Sequence, residues 1–126
     1  MPLAQRIDSK MKDNILWHSY DPEDILKKGE SPKLYADGKE GWITYVLDSI
    51  LFVKSYTDVD YSNFAPGEQE IEIYVKPDLP YIEIEVQSSY TFLQPGENLR
   101  WTVYWYLEKL PKRMDLEMGE SILVNK

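Results

Sequence analysis

Apolar and polar residues alternate with a period of two in several separate stretches of this chain, a pattern that suits half-buried β-strands and little else. The clearest runs from Tyr81 to Gln87, where Ile82, Ile84 and Val86 alternate with Tyr81, Glu83, Glu85 and Gln87. Glu70 to Val75 repeats it, with Ile71 and Ile73 set against Glu70, Glu72 and Tyr74. Leu99 to Leu107 predicts a third, aromatic strand with Trp101, Val103, Trp105 and Leu107 on one side and Thr102, Tyr104 and Tyr106 on the other. Trp42 to Asp48 and Ile50 to Tyr56 are so close that they read as a tight antiparallel hairpin around Asp48 and Ser49. The links are rich in turn formers: Pro95 and Gly96 precede the aromatic strand, and the two prolines of Lys76 to Pro80 cannot continue a sheet interior. The pattern therefore predicts an all-β chain, an antiparallel β-sandwich, with one short helical turn at Pro22 to Lys27. There Asp21 is placed to cap, Pro22 suits the first helical position and Gly29 ends the turn.

A chain of 126 residues is long enough for one domain around one core. Residues 1–13 lack an apolar period and read as an N-terminal arm, residues 14–110 as the sandwich domain, and residues 111–126 as a tail or edge element. Asn14 to Tyr20 fits a first strand, and Gly29 to Gly41 a loop. No stretch approaches the ~18 apolar residues of a membrane-spanning helix, and the first residues are too polar for a signal peptide. A cytoplasmic protein without a membrane partner is the resulting expectation.

A net charge of −8 disfavours nucleic acid, whose counterions are released by clustered Lys and Arg; the run Lys109 to Arg113 reads as a solvated exception. The absence of Cys excludes disulfides, thiolate metal sites and a Cys nucleophile. His18, the only histidine, has no second ligand or triad pattern around it and reads as an ordinary strand histidine. Asp58, Asp60 and Asn63 resemble a calcium loop only superficially, because the ligand spacing with its closing Glu is missing. They read as surface loop, and neither metal nor cofactor is expected.

Laid side by side, the strands collect Phe52, Lys54, Tyr56, Glu70, Glu72, Tyr74, Tyr81, Glu83, Glu85, Gln87, Tyr104 and Tyr106 on one surface, acidic and aromatic together. Pairing of the Glu70 and Tyr81 strands sets like charges opposite one another, which is destabilising unless a cation such as Lys54 relieves it. Such a surface has two readings: the solvated outside of an antiparallel sheet, or a carbohydrate groove in which tyrosine faces stack on sugar rings while Glu, Gln and Lys bond to hydroxyls.

The order WITYVLDSILFVKSY, EIEIYV, YIEIEVQ, LQPGENLRWTVYWYL resembles the C-terminal half of the galactose-mutarotase-like supersandwich proteins over about Ile15 to Leu110. It is most similar to a bacterial branch of unassigned function. The resemblance implies half of a supersandwich standing alone and sets Glu85 at the position of the family's general base. The family's catalytic histidines belong to an N-terminal half that is missing here, and the link between EIEVQ and LQPGE is shorter than in true mutarotases. The expectation is a sugar-binding protein without catalysis, using Tyr74, Tyr81, Glu83, Glu85, Gln87, Tyr104, Glu72 and Lys54. The alternatives are an interaction or structural protein that completes its sandwich as a homodimer, and an epimerase with Glu85 as catalytic base.

Overall fold

The computed structural model describes residues 9–12, 14–18, 33–76 and 81–110. It contains eight strands among them: β1 (Ser9–Lys12), β2 (Ile15–His18), β3 (Lys33–Ala36), β4 (Trp42–Leu47), β5 (Ile50–Ser55), β6 (Ile71–Lys76), β7 (Tyr81–Val86) and β8 (Tyr104–Lys109). Every pairing is antiparallel. Among the described residues the chain is all-β, with two three-stranded sheets ordered β3-β6-β7 and β4-β5-β8 and β1-β2 as a separate hairpin. The expected helical turn at Pro22 to Lys27 lies outside the described residues, as does the tail from 111 onward; a short 3₁₀ turn occurs instead at Tyr61–Asn63. None of the described helical residues form a helix long and apolar enough to cross a membrane.

The residues group into two compact units, one of 1–39 with 58–101 and one of 40–57 with 102–126, where the sequence predicts a single core. In the first unit Leu34, Val59 and Ile71 are buried, and register explains why. Leu34 faces Ile73, which faces Ile84, while Ala36, Ile71 and Val86 form the next cross-strand row, so one face of β3-β6-β7 is continuously apolar. In the second unit Ile43, Leu51, Tyr56 and Leu110 are buried. Here the expected hairpin forms, Leu47 pairing with Ile50 across Asp48 and Ser49. Asp48 takes φ +54°, a left-handed conformation that Asp tolerates better than most residues.

The Pro-Gly signals also act as expected. At Gln94 to Glu97 the Glu97 N–H donates to the Gln94 carbonyl at 3.0 Å with Gly96 at φ +90°, the type II geometry that needs Gly at its third position. The Glu97 carboxylate closes the turn from the other side, accepting from the Gln94 N–H at 2.8 Å.

Several elements differ from the sequence pattern. The aromatic strand begins at Tyr104 rather than Leu99, and Trp105 and Leu107, which alternation assigns to the core, are largely exposed. Its register against β5 sends Trp105 and Leu107 to the side of Phe52 and Ile50, and among the described strands β8 is the sheet's edge with β5 as its one neighbour. Lys33–Ala36, read as loop, is a strand because it pairs with β6. Ser9–Lys12, read as part of an arm, pairs with β2.

Candidate functional site

The cross-strand rows of β3, β6 and β7 build the most chemically distinctive surface in the chain. Tyr35 faces Glu72, which faces Glu85; in the next row Lys33 faces Tyr74, which faces Glu83; Lys76 then faces Tyr81. Residues directly opposed share a face and alternate residues return to it, so three tyrosines and three carboxylates lie on one side with Lys33. The expected face is therefore present for Glu72, Tyr74, Tyr81, Glu83 and Glu85. Gln87 follows β7 directly and is held by a bond from its N–H to the Glu70 carbonyl at 2.8 Å.

Two expected members belong to the other sheet. Lys54 is on β5 and Tyr104 on β8, and they do not lie in the rows of Glu72 and Glu85. Lys54 sits against aromatic rings of its own sheet, its ammonium 5.4 Å from the Trp105 centroid and 5.8 Å from that of Phe52. Phe52 and Trp105 meet edge to face at 5.4 Å. The cation that relieves the like-charged row is Lys33, paired with Glu72 at 2.5 Å and lying 5.7 Å from the Tyr74 centroid. Lys33 and Tyr35 escaped the sequence reading because their four-residue strand is flanked by turn formers. The available signal was the short alternation Lys33, Leu34, Tyr35, Ala36.

Charge on this face is shaped by burial first. Glu72 is buried, and its ion pair, by way of the Glu72 hydrogen bond, raises the Lys33 ammonium above its usual value. Tyr35 is raised by desolvation and then by the Glu72 charge. Glu85 is raised by desolvation, then by Glu72, and then by the hydrogen bond and charge of Glu83, with Lys33 pulling the other way.

A second group of carboxylates lies in the same unit. Glu70, expected on the solvated face, is only 1% exposed. Its oxygens accept from the N–H of Val59 at 2.7 Å and of Gly38 at 3.0 Å, so one side chain ties two loops to the start of β6. Burial raises its carboxyl, the two N–H bonds oppose the rise, and Asp58 and Asp37 add to it. Asp37, Asp58 and Glu70 each bring an oxygen within 4.8 Å of the others, a hard-ligand set of the kind a divalent cation takes. Of these the sequence weighed only Asp58 as a metal ligand, and placed Glu70 on the solvated strand face. Asp60 instead caps the 3₁₀ turn through Ser62, whose hydroxyl and N–H hold its carboxyl below the ordinary value.

Comparison with protein-family models, with curated proteins and with solved structures finds no match.

Proposed function

We propose that the tyrosine and carboxylate face of the β3-β6-β7 sheet binds carbohydrate without transforming it. The observation that carries this reading is the register, which sets Tyr35, Tyr74 and Tyr81 among Glu72, Glu83 and Glu85 on one side of one sheet. A pyranose offers an apolar face of C–H groups and a rim of hydroxyls. Tyrosine rings cover the first while their own hydroxyls stay wet, and carboxylates accept strongly from the second. Tyr81 and Glu85 are exposed and Glu83 half-buried, while Glu72 and Lys33 are held in an ion pair. The resemblance to the C-terminal half of the bacterial mutarotase-like proteins adds to this reading. Catalysis would need a second group to deliver a proton while Glu85 removes one. Glu85's partners on this face are two further carboxylates and the Lys33 already held by Glu72.

Titration of a panel of mono- and oligosaccharides, followed by tyrosine and tryptophan signals, tests the reading. At least one saturable response is expected, abolished by Tyr81→Ala and weakened by Glu83→Gln. Silence across the panel would remove the proposal. Protein-dependent exchange of hexose anomeric protons, abolished by Glu85→Gln, would replace it with the epimerase.

A second reading, a homodimeric interaction protein, is favoured by one observation: β8 is exposed along its entire length.

A further inference from the structure

We propose that β8 is the self-association surface, pairing antiparallel with β8 of a second copy so that two β4-β5-β8 sheets join into one. The proposal deepens the homodimer reading and is independent of the sugar reading.

The backbone supplies the first argument. The Leu110 N–H donates to the Ser49 carbonyl at 2.6 Å, in register with the β5-β8 ladder. Because backbone groups alternate sides along a strand, the even-numbered residues of β8 turn toward β5, and Trp105, Leu107 and Lys109 turn their N–H and C=O groups outward. β5 is the only neighbour of β8 among the described strands. A row of outward backbone groups is a template for another strand.

The side chains supply the second. Tyr104, Trp105, Tyr106 and Leu107 are 60, 68, 52 and 72% exposed. At ~150–250 Å² per aromatic side chain, the three rings alone leave roughly 350 Å² uncovered. With Leu107 the exposed apolar area comes to roughly 500 Å² per partner, at the small end of specific interfaces. The opposite edge differs, since β4 buries Ile43 and is fully exposed only at Leu47. In the other three-stranded sheet, the β3 edge buries Leu34 and carries Lys33. Charged residues that discourage pairing occur on β8 only at one end, Glu108 and Lys109.

Symmetry supplies the third. A two-fold axis normal to the sheet keeps each face continuous across the join, and the outward residues must oppose outward residues. An axis at Tyr106 meets both conditions. It sets Trp105 against Leu107 of the second copy twice over, Tyr106 against its own equivalent, and Tyr104 against Glu108. No like charges face each other.

The chain contains no Cys, so single cysteines report the register directly. Facing residues at the axis would form a non-hydrogen-bonded pair with Cα atoms ~4.5 Å apart, within disulfide reach. Under mild oxidation the full chain carrying Tyr106→Cys should form a covalent dimer. Tyr61→Cys, at an exposed site in the other unit, should not. Sedimentation should give twice the monomer mass, and Leu107→Lys should weaken dimerisation by at least ~tenfold while leaving the far-UV spectrum and any sugar response unchanged. A dimer that crosslinks as fast through position 61 as through 106, or that ignores Leu107→Lys, overturns β8 as the interface and leaves self-association standing. A monomer at every concentration overturns both.

Discussion

The two three-stranded sheets are built to the same plan and finished differently. In β3-β6-β7 polarity is brought inside: Glu70 and Glu72 are buried, one satisfied by two backbone N–H groups and the other by Lys33. In β4-β5-β8 apolarity is left outside, with Trp105 and Leu107 exposed on the edge strand. The difference teaches that alternation reports which residues share a face, whereas burial depends on what covers that face. A carboxylate whose bonds are made can be covered, and an aromatic strand with one neighbour is not.

The largest effects should come where the two sheets are alike. Leu34→Ala and Leu51→Ala remove equally buried side chains, one from each sheet, and each should cost about 3 kcal/mol by urea denaturation. Leu107→Ala, though chemically the same change, should cost under about 0.5 kcal/mol when measured on monomer. A Leu107 loss as large as that of Leu51 would show that β8 is covered within one chain. Next comes Glu70→Gln. Its amide oxygen can still accept one N–H, but the amide nitrogen cannot accept the other, so one buried donor is left unpaired at a cost of about 1–2 kcal/mol. A neutral result would mean that Gly38 or Val59 finds another partner. Lys33→Met should destabilise by less than either leucine change and should also raise Glu85 further, since Lys33 is the group pulling it down. Carboxyl NMR titration of Glu85 checks the direction.

The smallest effect concerns Glu85 itself. Its carboxyl lies above the ordinary 4.5 when folded, for reasons of desolvation and then the Glu72 charge. A raised folded value means that its contribution to stability is fully present below the unfolded value and lost as pH rises through the folded one. Glu85→Gln resembles the protonated form, so it should exceed the parent at pH 7 by roughly a few tenths of a kcal/mol, the group being exposed and screened. Around pH 3 the two should coincide. A variant less stable at neutral pH would mean that the ionised form is favoured after all.

Much of this was legible in the sequence. The period of two gave the class, and the near-contact of Leu47 and Ile50 gave the hairpin. That carboxylates of the two strands meet followed from two matching alternations across a proline turn, while the register that sets Glu72 against Glu85 came only with the structure. What escaped detection was decided by partners remote in sequence. Lys33–Ala36 is a strand only because β6 lies beside it, and four residues between turn formers carry too little pattern to show that. Glu70 continues the alternation of β6 and still goes inside, since the N–H groups of Gly38 and Val59 meet it there. The relieving cation was sought at Lys54 because composition shows which charges exist and not which sheet each strand joins.

The division of the chain into two interleaved units has a consequence for how the molecule is made. The second unit opens with β4 and β5, is interrupted by the whole of residues 58–101, and resumes with β8; the first is interrupted in turn by residues 40–57. No single cut liberates either unit intact. On the ribosome the β4-β5 hairpin emerges early and can close within microseconds, yet the free flank of β5 stays open until β6, β7 and the following loop have been synthesised. During that interval the flank faces the edge-pairing hazard that β8 later inherits. Synthesis order thus lets the β4-β5 hairpin form well before β8 is made, so a ribosome stalled before Tyr104 would hold a sheet that lacks its third strand and is adhesive on that flank.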